Sequence, residues 1–224
     1  MKAVIFDMDG LLVDTESMSF AIYQTLLSPY QISLSKETYA QQYSGKTEET
    51  NLTNLLVTYR LPSTVPTLLK AVDLLEQDII SQGIALKRGA RQLLTFLKSK
   101  GYLLALATSS APDRAVKILS QHDLLNFFDE MVFGTEVERG KPHPDIFLTA
   151  CHRLGVVPKE VLIFEDSEAG LQSAYAAGAA AICIPDMKAP APEILELASA
   201  VYSDLEEALD YFQSEINTKP SHLQ

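Results

Sequence analysis

The chain has 224 residues, of which 47% are hydrophobic, enough to bury a sizeable core as one domain with an insertion or as two small domains. A formal net charge of −11 with no Lys/Arg cluster excludes the basic face that a nucleic-acid backbone requires. No apolar run approaches membrane-spanning length, so a soluble protein is expected, with a small-molecule partner, no nucleic acid and no membrane.

The chain begins with a short apolar run, Ala3-Val4-Ile5-Phe6, that stops at Asp7-Met8-Asp9-Gly10. Such a run, rich in Val, Ile and Phe and broken by Asp and Gly, predicts a buried strand and a tight turn. A single Lys precedes it, without the long apolar stretch of a signal peptide. After Gly10, a second apolar stretch ends in a cap-like Thr15, and Met18, Ala21, Ile22 and Leu26 follow at helical spacing, closed by Pro29 and Tyr30. Residues 35–43, 47–59 and 64–82 read as three further helices, with no strand pattern between them. An all-helical block placed between the first strand and a later α/β alternation predicts an inserted cap, over 15–83, in a core made of 1–14 and 84–224.

From Gly89 the pattern alternates helix and strand, which predicts βαβ units and a parallel sheet. Helices are expected over 91–100, 112–121, 145–154 and 167–177, the last ended by Gly178. Strands are expected over 102–107, 130–134, 161–164 and 180–184. The tail over 192–212 reads as two helices around Ala200-Val201-Tyr202. Cys151 and Cys183, each inside an apolar segment, read as two buried thiols, which suits a reducing cytoplasm.

Several expected strands end in residues suited to a phosphate and a divalent metal: Asp7 and Asp9, then Thr108 and Ser109, then Glu165 and Asp166, with Lys141 in the loop Arg139-Gly140-Lys141-Pro142-His143-Pro144. Each has a plainer explanation. Asp and Gly are ordinary turn residues; Ser110, Asp166 or Ser167 could cap helices; Lys141 could be a solvated charge. A calcium loop is excluded because its sixth and twelfth places hold Leu12 and Met18. Taken together at one sheet edge, the set fits phosphoryl transfer. Magnesium takes oxygen ligands and needs only one or two carboxylates besides substrate phosphate, which Asp7 and Asp166 could supply. An Asp can also be the nucleophile, the neighbouring Asp9 an acid and base, and Lys141 with Thr108 a holder of the transferring charge.

With these residues the chain resembles the haloacid-dehalogenase-like superfamily, in its phosphatase and phosphomutase branch with a helical cap. The resemblance rests on Asp7-Met8-Asp9-Gly10 with Asp14-Thr15-Glu16, Ala105-Leu106-Ala107-Thr108-Ser109-Ser110, Gly140-Lys141-Pro142-His143-Pro144 and Phe164-Glu165-Asp166-Ser167. It implies an α/β fold, a Rossmann-like parallel sheet core with an inserted all-helical cap. It further implies that Asp7 is nucleophile and Mg2+ ligand, that Asp9 is the acid/base residue with its backbone carbonyl on the metal, and that Thr108, Ser109 and Lys141 bind the phosphoryl group. Asp166 would complete the metal site with Glu165 beside it. Gly45-Lys46-Thr47 imitates the end of a phosphate loop, but the first glycine of that pattern would fall on Ala40. In the family a glycine-containing cap loop near this place faces the active site, which makes Lys46 a candidate substrate contact against the plainer view of a surface lysine.

The expected activity is a magnesium-dependent phosphatase of a small phosphorylated metabolite, a sugar phosphate or nucleoside monophosphate, acting as a cytoplasmic monomer through an aspartyl-phosphate. The alternatives are a β-phosphoglucomutase-type isomerase and a non-catalytic binding protein on the same fold. The intact acids speak against the latter. Against the isomerase, the family's mutases carry a cap-loop arginine, a Lys-Asn pair and a histidine where this chain has Glu48, Ala111-Pro112 and Ser19.

Overall fold

The computed structural model describes residues 1–218, in two compact units: Met1–Val13 with the chain from Leu86 through the last helix, and Asp14–Ala85. The first unit holds a six-stranded, all-parallel sheet in the order β3-β2-β1-β4-β5-β6. Its strands are β1 (Ala3–Phe6), β2 (Leu103–Thr108), β3 (Glu130–Phe133), β4 (Val161–Glu165), β5 (Ala180–Cys183) and β6 (Ala200–Val201). This is a Rossmann-like α/β core. β1 is central and apolar at every position because a parallel sheet is covered on both faces, and none of its four residues is exposed.

Its side chains alternate between two layers. Ala3 and Ile5 join Ala105, Ala107 and Ile163 beneath Ile146 and Phe147 of α7 (Asp145–Leu154) and Leu171 of α8 (Glu168–Ala177). On the other face Phe6 stacks on Phe164 at 5.0 Å, and Phe164 meets Phe212 of α10 (Leu205–Thr218), which packs on α5 (Ala90–Ser99). Burial of a Val, Ile or Phe side chain is worth roughly 1.5–3 kcal/mol, so the strand that leads into Asp7 and Asp9 is firmly held. The sixth strand was not expected: Ala200 and Val201 pair with Ile182 and Cys183 and extend the sheet by two residues. Cys151 and Cys183 are buried free thiols.

The second unit carries α1 (Thr15–Leu27), α2 (Lys36–Gln42), α3 (Glu48–Tyr59) and α4 (Val65–Gln82), with α4 packed on α1 and α3. Ser35, Thr47 and Thr64 cap α2, α3 and α4 with their hydroxyls, each satisfying an otherwise unpaired N–H. At α1 the cap is Asp14, which accepts from Ser17 N, and not the expected Thr15. Tyr23, Tyr39 and Tyr43 form a buried aromatic cluster here, with Tyr23 ring centroids 5.6 Å from each of the other two. Among the described residues no helix is long and apolar enough to cross a membrane.

Candidate active site

The chain runs from β1 to β2 and β3 on one side and returns to β4, β5 and β6 on the other, so the sheet order reverses at β1. In open α/β sheets ligands bind outside the carboxyl ends of the strands at such a reversal. Phe6 pairs with both Leu106 and Phe164, so the next residues on the two neighbours, Asp7 and Glu165, lie side by side, and Thr108 ends β2 close by. Gly10 turns the chain with φ +77°. A Cβ there would stand 2.4 Å from Asp166 Oδ2 and 3.0 Å from Asp186 Oδ2, so only glycine lets these carboxylates close over the loop after β1.

Lys141 reaches into this group from the loop before α7. Its Nζ donates to Asp7 Oδ1 at 2.6 Å, Glu165 Oε1 at 2.5 Å and Ala107 O at 3.1 Å, three acceptors for three ammonium hydrogens. The second Glu165 oxygen, Oε2, accepts from Asp166 N, Ser167 N and Ser167 Oγ at 3.0–3.2 Å. Burial, with the charges of Glu165 and Asp9, pushes the Asp7 carboxyl up to about 7 although Lys141 pulls it down. Burial and the carboxylates of Glu165, Asp7 and Asp186 likewise raise Asp166 well above the usual range. Lys141 itself is raised: Asp7 and Glu165 outweigh the cost of burying its charge. The balance is an excess of negative charge that one ammonium does not neutralise.

Asp9 is held differently. Its Oδ1 accepts from Arg114 Nη1 at 2.7 Å, and its Oδ2 accepts from Ser110 Oγ at 2.7 Å and from Thr108 Oγ1 at 3.4 Å. Arg114, in the first turn of α6 (Pro112–Ser120), also donates to Ser110 Oγ at 2.6 Å. Ser110 is therefore not the cap of α6; Ala111 stands at that position without a side-chain bond. Ser167 does cap α8, accepting from Gly170 N at 3.0 Å.

The structure thus gathers Asp7, Asp9, Thr108, Lys141, Glu165 and Asp166 at one sheet edge. Ser109 follows Thr108 with an exposed side chain. Lys46 belongs to the helical unit, where its exposed Nζ donates to Gln42 O at 2.6 Å. Both Glu165 oxygens accept hydrogen bonds, Oε1 from Lys141 and Oε2 from the start of α8. Among the described residues no three His, Cys, Asp or Glu side chains form a ligand set of their own. The oxygen donors at hand are the Asp7 and Asp166 carboxylates, a hard and incomplete set that suits an ion retaining waters.

Sequence reading missed Arg114 and the pair Lys87–Asp186, joined at 2.5 Å beside Asp166. Arg114 left one signal. A cation in a helix's first turn opposes the helix dipole, a cost that an anion facing it offsets.

The profile of the family Haloacid dehalogenase-like hydrolase matches residues 4–184. A phosphorylated carbohydrates phosphatase of Thermotoga maritima is 38% identical over 178 residues, 80% of this chain and 82% of that protein. A beta-phosphoglucomutase of Bacillus subtilis is 32% identical over 190 residues, 81% of this chain and 82% of its own. The crystal structure of a HAD family hydrolase from Deinococcus radiodurans R1, with bound phosphate and sodium, superposes with a TM-score of 0.85 over 99% of both chains at 24% identity.

Proposed function

The chain belongs to the haloacid dehalogenase-like hydrolases and is a phosphoric monoester hydrolase, and from that premise we propose that it releases phosphate from a small phosphorylated metabolite, a sugar phosphate before a nucleoside monophosphate, through an aspartyl-phosphate on Asp7. The observation that carries this reading is the buried contact of Lys141 with Asp7, flanked by Asp9 and Asp166. The Thermotoga relative's activity on phosphorylated carbohydrates favours the sugar phosphate.

The residues divide the work in two steps. Asp7 attacks phosphorus, an Asp7 oxygen–phosphorus bond forms, and the ester bond breaks as Asp9 gives its proton to the leaving oxygen. Asp9 then takes a proton from water, whose oxygen displaces Asp7 and leaves inorganic phosphate. Lys141 holds positive charge 2.6 Å from the nucleophile, and Thr108 adds a hydroxyl donor, where charge gathers on the phosphoryl oxygens. Glu165 keeps Lys141 in place from the other side. The excess carboxylate charge fits a divalent cation, and Asp7, Asp166 and the Asp9 carbonyl are the groups we assign to Mg2+. When bound, the ion supplies counter-charge to the nucleophile and the phosphoryl oxygens.

The isomerase alternative lacks support at the cap position where those mutases carry arginine. Glu48 stands there and accepts from Tyr23 OH at 2.8 Å, so an acid, already committed within the helical unit, occupies it. The test is phosphate release from a panel of phosphate esters with Mg2+. Asp7→Asn should reduce release to background while the protein stays folded, and chelation should do the same reversibly. Substantial release by Asp7→Asn would overturn the assignment.

A further inference from the structure

We infer that Arg114, acting with Ser110, is the positioning residue of the acid/base carboxylate, so that the start of α6 sets where Asp9 delivers its proton. The inference rests on the reading of Asp9 given above and adds residues to it. Both Asp9 oxygens are engaged: Arg114 Nη1 binds Oδ1 directly at 2.7 Å, and through Ser110 Oγ it braces the hydroxyl that binds Oδ2 at 2.7 Å. Two points of attachment fix the carboxylate's plane as well as its position, and bonds to a guanidinium are the stronger kind. The support is itself rigid. Pro112 occupies the first turn of α6, and Ala115, Ile118 and Leu119 are fully buried in the core, so Arg114 projects from an element fixed by packing. The position carries a cost, because a cation at a helix N-terminus faces the unfavourable end of the dipole; the paired carboxylate offsets it.

A proton donor must lie within hydrogen-bond reach of the leaving oxygen, and a misplacement of about 1 Å costs on the order of 10²-fold. The dependence on that proton varies with the leaving group. An alcohol, as in a hexose 6-phosphate, leaves poorly without it, whereas p-nitrophenolate leaves unprotonated. The experiment therefore compares kcat/KM, which reports phosphoryl transfer to Asp7, for a hexose 6-phosphate and p-nitrophenyl phosphate in Arg114→Ala, Arg114→Lys, Ser110→Ala and Asp9→Ala. Arg114→Ala should lose roughly 10²-fold on the sugar phosphate and little on the aryl ester. Arg114→Lys should recover part of the loss, and Ser110→Ala should show the same selectivity, more weakly. Equal losses on both substrates, or a gain in either, would overturn the inference. Should Arg114→Ala fail to fold in a melting experiment, the selectivity of Ser110→Ala decides. Asp9→Ala separates the two readings: if it impairs both substrates alike, the role of Asp9 itself is wrong, whereas a selective Asp9→Ala beside an unselective Arg114→Ala removes only the inference about Arg114.

Discussion

Lys141 holds together charges that would otherwise be costly to bury. Its side chain is 6% exposed and stands between Asp7 and Glu165, the latter fully buried. Removing one partner of a buried pair leaves an uncompensated charge, at about 3–5 kcal/mol. Lys141→Met should therefore lower the melting temperature markedly as well as abolish activity, and Lys141→Met with Glu165→Gln should melt higher than the sum of the single effects, since the two side chains touch. A Lys141→Met protein melting like wild type would contradict this. At this scale the sequence was legible where chemistry and position coincide. Asp7, Asp9 and Asp166 stand out because acids at the ends of apolar strands have no packing role. The contact of Glu165 with Lys141, 24 positions away in the chain, leaves no trace in local pattern, and Arg114 left only its place in the first turn of a helix.

The helix that follows Asp166, α8, begins with a tight fit. Ser167 caps α8 and also donates to Glu165 Oε2, while Gly170 leaves room for that carboxylate: a Cβ on it would lie 1.8 Å from Glu165 Cδ. Nothing in the backbone of Gly170 demands glycine; the neighbour does. Gly170→Ala must push Glu165 off Lys141 or shift the helix start, and overpacking of this kind costs about 1–3 kcal/mol. We expect a lower melting temperature together with a reduced kcat, and a variant with unchanged values of both would refute the fit. Most helix starts were readable, because Ser35, Thr47, Thr64 and Ser167 are capping residues placed before periodic runs. At α1 two capping residues adjoin, Asp14 and Thr15, and local pattern does not decide between them. The strand Ala200–Val201 was not readable, since two residues paired along one neighbour show neither alternation nor length.

At the scale of the whole molecule, βαβ alternation foretold a parallel sheet but not its order, which depends on which side of β1 each crossover takes. The order matters because it brings Glu165 and Lys141 to Asp7, and with them the excess negative charge that makes stability depend on pH. The carboxyl of Asp7 moves from 3.8 to about 7 on folding. Between those values the folded protein retains a proton that the unfolded chain has lost, so stability falls as pH rises through this window and is lowest above it. Asp166 is raised for the same reasons and acts in the same direction. Carboxyls drawn down by partners, such as Asp129 and Glu136, act in the opposite sense but only below the ordinary carboxylate range. With metal removed by a chelator, the melting temperature should therefore fall from pH 5 to pH 8, and Asp7→Asn should make that fall shallower. Because a cation bound only by the folded state adds stability and competes with these protons, Mg2+ should raise the melting temperature more at pH 8 than at pH 5. A fall equally steep in wild type and Asp7→Asn would show that the pH dependence originates in the overall charge of −11 and not in the carboxylates around Lys141.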